Sequence, residues 1–392
     1  MFIPARKGPA PDTKLMAALS ETGRAKAERV LLALPGHAPT PLHALPRLAA
    51  ECGVAAIRVK DEGRRFSLKS FKALGGAYAV VSLVLEEASR RLGRAVEPTE
   101  LGKPDVRAVA ATMTFACATD GNHGRSVAWG AGLAGARCEI FIHAGVSGGR
   151  AAAIASYGAH INRVDGSYDD SIVRSAEMSA KHGWTVVSDT AWDGYEDIPL
   201  TVMQGYTVMI GEALDAIAEP PTHLFLQAGV GGMAAAVAAY AAQRLGAAAP
   251  KIVVVEPARA ACVAASMEAG RLVTIPHGEP TIMAMLECAT PSPLGWQILH
   301  NLADGCVTLE EDEAVAAMLR LAFPVAGDPA IVAGESGSTG LAGFLSCLHD
   351  PAAKEALGLG AGSRILVFNS EGATDPVIYA GIVGKTPEEI AR

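Results

Sequence analysis

The sequence predicts an α/β fold built on mostly parallel sheets covered by helices on both faces. Three observations lead there. Short strand-like runs alternate with helical runs along most of the chain, the pattern of repeated strand–helix crossovers. The run Ile252-Val253-Val254-Val255 is apolar without alternation, as a parallel strand buried on both faces must be. Half of the 392 residues are hydrophobic, yet only 5% are aromatic and 42 are glycine. The apolar mass is therefore small and aliphatic, which suits helices lying close on a sheet.

Element by element, a helix with a polar face is expected from Lys14 to Leu34, then a loop punctuated by Pro35-Gly36 and Pro41. Ala55 to Lys60 alternates as a strand. Leu74, Ala77, Tyr78, Val81 and Leu85 fall at helical spacing within 71–87. Residues 90–105 are polar, with Gly and Pro, and read as a surface insertion. Further strands are expected at 107–117, 138–142, 160–164, 184–188, 224–227, 251–256 and 365–368. Helices are expected at 124–134, 150–157, 169–181, 199–214 and 233–245. No low-complexity linker divides the chain, so its lobes are interleaved rather than strung in series.

Composition narrows the function. The formal charge is −8, from 33 basic and 41 acidic residues, and no basic stripe exists, which argues against a nucleic-acid partner. No run of 18 apolar residues is present, so no membrane span is expected. The start, Met1-Phe2-Ile3-Pro4-Ala5-Arg6-Lys7, lacks the apolar stretch of a signal peptide. The seven cysteines form no Cys-x-x-Cys, and the histidines show no ligand spacing, so no metal site is expected. Reduced thiols and a cytoplasmic location follow. The sequence leaves open whether Cys262 and Cys288, at the two ends of one loop-rich segment, pair.

Five segments hold chemistry-bearing residues at element ends. Gln227-Ala228-Gly229-Val230-Gly231-Gly232-Met233 joins a strand to a helix, where backbone amides can cradle a phosphate. It matches neither Gly-x-Gly-x-x-Gly nor a P-loop, and a tight turn would explain it equally well. Lys72, in Ser70-Phe71-Lys72-Ala73-Leu74-Gly75-Gly76, opens an apolar helix; desolvation and the helix dipole lower an amine's pKa there, as Schiff-base chemistry requires. A snorkelling surface lysine is the commoner reading for any single lysine, and Lys69 is a competitor. Thr119-Asp120-Gly121-Asn122-His123-Gly124 lies between a strand and a helix, at the sheet edge where ligands bind; Asp120 or Asn122 is equally suited to cap that helix. Asp189, in Ser188-Asp189-Thr190-Ala191-Trp192, is a second strand-end carboxylate or a turn residue. Ser370 begins the turn after the last strand.

Taken in order along one chain, these motifs resemble the fold-type II pyridoxal-phosphate enzymes, the tryptophan-synthase-β-like family, and within them the branch of diaminopropionate ammonia-lyases. The resemblance covers about residues 35 to 380. Its more specific elements are Ser-Phe-Lys-Ala-Leu-Gly-Gly (70–76), Thr-Asp-Gly-Asn-His-Gly-Arg (119–125), Asp-Thr-Ala-Trp (189–192), Thr-Ile-Met-Ala (281–284), Pro-Leu-Gly-Trp (293–296) and Glu-Gly-Ala-Thr-Asp-Pro (371–376).

The resemblance implies two lobes, each with a twisted, mostly parallel sheet: a large cofactor-binding domain from 1–75 and 166–392, and a smaller inserted domain from 76–165. It implies that Lys72 carries pyridoxal phosphate as a Schiff base. Phe71 and Asn122 contact the ring, the amides of Gly229, Val230, Gly231, Gly232 and Met233 hold the phosphate, and Ser370 faces the pyridine nitrogen. Thr119, Asp120, His123 and Asp189 bind the substrate, with Asp120 and Asp189 joining Lys72 as catalytic groups. The implied reaction is α,β-elimination of ammonia from 2,3-diaminopropionate by a cytoplasmic homodimer, giving pyruvate and ammonia. The alternative is a dehydratase or lyase for serine, threonine or 3-hydroxyaspartate. Two departures bear on substrate identity: Met285 and Glu287 replace the family's usual Gly-Leu and Cys-Gly-Glu-Pro run, and Gly334 precedes Glu335 where an Arg is common.

Overall fold

A computed structural model describes residues 1–119 and 121–392. The chain divides into two compact units. One comprises Met1–Gly23, Pro39–Phe71 and Thr207–Arg392, the other Arg24–Ala38 and Lys72–Tyr206. Each is built on its own sheet.

The first unit starts with strands β1 (Phe2–Pro4), β2 (Leu42–Ala44) and β3 (Ala56–Asp61). The second holds β4 (Thr114–Ala118), β5 (Arg137–His143), β6 (His160–Val164) and β7 (Thr185–Val186). The chain then returns to the first unit for β8 (His223–Gln227), β9 (Lys251–Pro257), β10 (Gly305–Leu309) and β11 (Arg364–Asn369).

The larger sheet has seven strands in the order β1-β10-β9-β8-β11-β3-β2. Its five inner strands are parallel, and only the edge strands β1 and β2 run antiparallel. Ile252 to Val255 on β9 are buried, in register with β8 through Phe225↔Val253 and with β10 through Val253↔Gly305. The four-stranded sheet, order β6-β5-β4-β7, is wholly parallel. Both therefore have the parallel core that the apolar runs predict.

Two expectations are corrected. The strand expected at 107–117 splits into a helix, Pro104–Ala110, followed by the shorter β4. Pro104 sits at the first helical position, where its missing N–H costs nothing, and Val106, Val109 and Ala110 bury one face at helical spacing. The single helix expected from Lys14 to Leu34 is two helices, Thr13–Ala18 and Glu21–Leu31. Asp12 caps the first, and the Ser20 hydroxyl accepts the Gly23 N–H at 3.4 Å at the start of the second. Strands β1, β2 and β10 carry too little alternation to be read from sequence. All seven cysteines, Cys262 and Cys288 included, are free thiols. Among the described residues, no helix is long and apolar enough to cross a membrane.

Backbone strain gathers in one short stretch of the described residues. Among the described residues only Phe66 (φ 48°) and Lys69 (φ 56°) combine a side chain with a positive φ, and such backbone states cost about 1–3 kcal/mol each.

In the second unit the packing is at glycine distance. A Cβ on Gly205 would lie 1.8 Å from the Leu74 carbonyl oxygen, and a backbone oxygen cannot swing aside as a side chain can. Gly205→Ala is therefore expected to lower unfolding free energy by about 3 kcal/mol or more, measured by urea titration. A loss under about 0.5 kcal/mol, the range of an ordinary surface change, would contradict this packing.

Candidate active site

In the second unit, Lys72 directly precedes a π-helical turn, Ala73–Ala77, that runs into helix Tyr78–Leu92. Such turns recur at functional sites. Ser126, on helix Asn122–Ala134, fixes both ends of this one. Its hydroxyl donates to the Lys72 carbonyl at 2.7 Å and accepts the Ala77 N–H at 2.8 Å.

The Lys72 ammonium donates to Asp189 Oδ2. Both side chains are mostly buried, at 19% and 17% exposure. Asp189 follows β7, whose parallel neighbour β4 leads into the Thr119 loop. Sheet order thus brings together two motifs about 70 residues apart at neighbouring strand ends. Burial pushes the Asp189 carboxyl up, but the adjacent Lys72 ammonium outweighs it and holds the group well below the usual carboxylate range. Tyr195 secures the loop: its hydroxyl donates to the Val186 carbonyl at 2.8 Å and accepts the Ser188 N–H at 3.0 Å. The Tyr195 ring stacks on Trp192.

His123 is buried, with Nε2 2.9 Å from the Val187 carbonyl. A carbonyl only accepts, so Nε2 carries the proton. Nδ1 lies 4.0 Å from Asp189 Oδ2 and has no hydrogen-bond partner among the described residues. Burial lowers the imidazole pKa; Asp189 opposes that shift and Lys72 adds to it.

The helix after β4 is capped by Thr119, whose Oγ1 accepts the N–H groups of Gly121 and Gly124, each at 3.1 Å. Asn122 is the first helical residue and is buried. A Cβ on Gly124 would lie 2.2 Å from the Thr119 methyl group, so the cap needs glycine there. Asp120 lies outside the described residues.

In the first unit, the glycine loop and Ser370 stand at the C-terminal ends of neighbouring parallel strands, β8 and β11. None of the amide N–H groups from Gly229 to Met233 finds an acceptor among the described residues. They precede helix Gly232–Leu245, so the helix dipole adds to their pull on an anion. Gly231 has φ 86°, and a Cβ on Gly229 would lie 2.9 Å from Cys288 Sγ. Ser370 is buried; its hydroxyl accepts from Gln227 Nε2 at 2.9 Å and donates to the Ser336 carbonyl at 3.4 Å. The Phe71 N–H donates to the Ser370 carbonyl at 3.0 Å, and the chain at Ser70 bridges Glu371. Of the two departures, Glu287 is committed to its own loop, accepting the Thr281 N–H at 3.1 Å, and the Met285 N–H donates to Ser336 Oγ. Glu335 is buried.

In the first unit, an open row of amides at a helix start and a neutral hydroxyl at the neighbouring strand end suit a phosphorylated pyridine; in the second, a mostly buried lysine suits an aldehyde. Comparison with known proteins agrees. The family model described as "Pyridoxal-phosphate dependent enzyme" matches residues 33–371. The chain belongs to the pyridoxal-phosphate dependent enzyme family. Its cofactor is pyridoxal phosphate, and its two sheets are those of fold type II in that family. It is 39% identical over 366 residues to the diaminopropionate ammonia-lyase of Escherichia coli K12, spanning 91% of this chain and 90% of that one. The solved holo structure of the Escherichia coli enzyme superposes with a TM-score of 0.89 at 36% identity, covering 98% of this chain and 96% of that one. The same enzyme in complex with an aminoacrylate-PLP azomethine reaction intermediate gives 0.87 at 35% identity, over 98% and 96%.

Ser126 and Tyr195 were not legible in the sequence; a serine or tyrosine inside an element carries no signal of what it will touch. His123 yields a pH test. Its pKa is lowered on folding from the ordinary 6.5, so below that pH the unfolded chain takes up a proton that the folded one refuses, and stability falls as pH falls. His123→Gln is expected to lose less melting temperature than the parent as the pH drops below 6.5. Identical slopes in scanning calorimetry would refute the buried neutral imidazole.

Proposed function

We propose that the enzyme eliminates ammonia from 2,3-diaminopropionate. With one water, one diaminopropionate gives one pyruvate and two ammonia. The carrying observation is the ionised, buried Asp189 carboxylate, whose counterion in the resting protein is the Lys72 ammonium. Once the Lys72 amine is engaged with the cofactor aldehyde, Asp189 needs another cation. A substrate with a second ammonium supplies one through a charge-assisted hydrogen bond; a serine hydroxyl does not.

Bound pyridoxal phosphate supplies an electron sink for the bond electrons released at the substrate α-carbon. The residues do the rest. With the cofactor bound, the Gly229–Met233 amides would hold its phosphate, Phe71 and the Asn122 side chain would contact the ring, and Ser370 would face its nitrogen. A hydroxyl at that nitrogen does not stabilise a pyridinium as a carboxylate would, which favours prompt β-elimination over transamination. Thr119 and His123, with their loop, receive the substrate carboxylate. Asp120 or the Lys72 amine takes the α-proton, according to the enantiomer, so both mirror forms are substrates. Asp189 is the second carboxylate, positioned to favour the departing amine. Aminoacrylate leaves and hydrolyses to pyruvate. In this account the enzyme works in the cytoplasm as a homodimer, as the family resemblance implies.

A panel of D- and L-diaminopropionate, serine, threonine and 3-hydroxyaspartate, with the 2-oxo acid product measured for each, tests the substrate. Diaminopropionate is expected to lead by at least about tenfold in kcat/KM, the worth of one charge-assisted contact. Turnover of either serine enantiomer without diaminopropionate would overturn the proposal. Lys72→Ala is expected to abolish both turnover and the visible Schiff-base absorbance; the same loss in Lys69→Ala instead would shift the assignment by three residues. Asp120→Asn is expected to slow one enantiomer much more than the other. Equal small losses would make Asp120 a cap.

A further inference from the structure

The first unit buries four charges that neither the reaction nor the sequence motifs use. Lys60, Glu62, Arg65 and Glu212 are all inaccessible to solvent or nearly so. The Arg65 guanidinium forks onto both carboxylates. It reaches Glu62 at 2.8 and 2.9 Å, and Glu212 at 2.9 and 2.7 Å. The Lys60 ammonium donates to Glu212 and to the Thr40 carbonyl. The Thr40 hydroxyl donates to Glu62 at 2.6 Å, and the Thr40 N–H to Glu212 at 3.3 Å. Two cations and two anions balance, and hydrogen bonds engage every member.

Such a cluster is a weak source of stability, because apolar side chains of equal volume do as well without the desolvation cost. What directed bonds supply is a single geometry. The strained stretch identified above begins right after this cluster: Phe66 and Lys69 hold positive φ between Arg65 and Ser70. Its far end is pinned by backbone pairing, with the Gly372 N–H on the Lys69 carbonyl and the Phe71 N–H on the Ser370 carbonyl, both at 3.0 Å. Lys72 is the next residue in the chain.

We propose that Lys60, Glu62, Arg65 and Glu212, with Thr40, are positioning residues that hold segment 66–71 in its strained form, so that Lys72 is presented to the cofactor. The inference rests on Lys72 being the Schiff-base lysine. The cluster clamps one end of the segment and the Ser370–Gly372 backbone clamps the other. Without the first clamp the segment relaxes out of positive φ, and Lys72 must be brought back each time it meets the aldehyde. Arginine is needed rather than lysine, because only the planar fork places two N–H donors on each of two carboxylates at once.

The test titrates full-length protein with pyridoxal phosphate, reading Schiff-base absorbance, and locates the modified lysine by borohydride reduction and peptide mapping. Three variants are compared: Arg65→Lys and Thr40→Val, which keep all four charges, and the neutral pair Arg65→Gln with Glu212→Gln. Cofactor-free melting temperature separates positioning from folding. The expected result for Arg65→Lys and for the neutral pair is cofactor dissociation constants raised about tenfold, or about 1.4 kcal/mol, with melting temperatures near the parent's. Thr40→Val is expected to shift in the same direction by less. Trypsin should also cut faster after the exposed Lys69 in the cofactor-free variants. Parent affinity in folded variants, or affinity loss that merely tracks melting temperature across the series, overturns the inference while leaving Lys72 in place. A parent that forms no Schiff base at Lys72 overturns the site assignment as well.

Discussion

The backbone around Lys72 is packed against its neighbours at distances that only glycine permits. A Cβ on Gly76 would stand 2.7 Å from Ser126 Oγ, and one on Gly130 would stand 2.8 Å from the Ala77 Cα. Because helix Asn122–Ala134 comes this close, Ser126 spans the π-helical turn and ties down the Lys72 carbonyl. A lysine side chain has many rotamers, and an anchored backbone removes much of the remaining freedom at its base. The abundance of glycine and small aliphatic residues is thus not only a packing style. It sets how firmly the backbone that carries Lys72 is held.

Parallel sheets supply the second ordering principle. Strand ends of one direction gather on one edge, and loops at that edge are where ligands bind in open α/β sheets. In one unit this brings Asp189 beside the loop after β4; in the other it brings Ser370 beside the glycine loop. Asp189 and Lys72 are 117 positions apart, and no local pattern announces their contact. What unites them is that β7 lies next to β4 rather than next to β6.

That explains what sequence could and could not reveal. The lysine motif, the glycine loop and the Asn122 loop were legible, because each couples a change of hydrophobic period to residues of unusual backbone freedom. Strand–helix alternation exposed the parallel core. The boundary at 107–117 failed because three apolar residues spaced for a helix, after Pro104, look like a strand when β4 follows directly. The buried charges escaped notice for a different reason. Lys60, Glu62, Arg65 and Glu212 are residue types normally found in water, and their mutual neutralisation depends on contacts across up to 152 positions. Thr119 illustrates a subtler limit: the motif located the helix start, but three-dimensional geometry chose the capping hydroxyl.

The amide row from Gly229 to Met233 offers its hydrogen bonds from main chain alone. Peptide N–H groups do not titrate, and only a substitution to proline deletes one. A phosphate held in this way would keep the same donors from mildly acid to alkaline conditions. Change over evolutionary time at this spot is then filtered by shape, through whatever a new Cβ would strike. The proton-carrying side chains His123 and Asp189 lie on other stretches of the chain, so a change in either leaves this row of amides as it is.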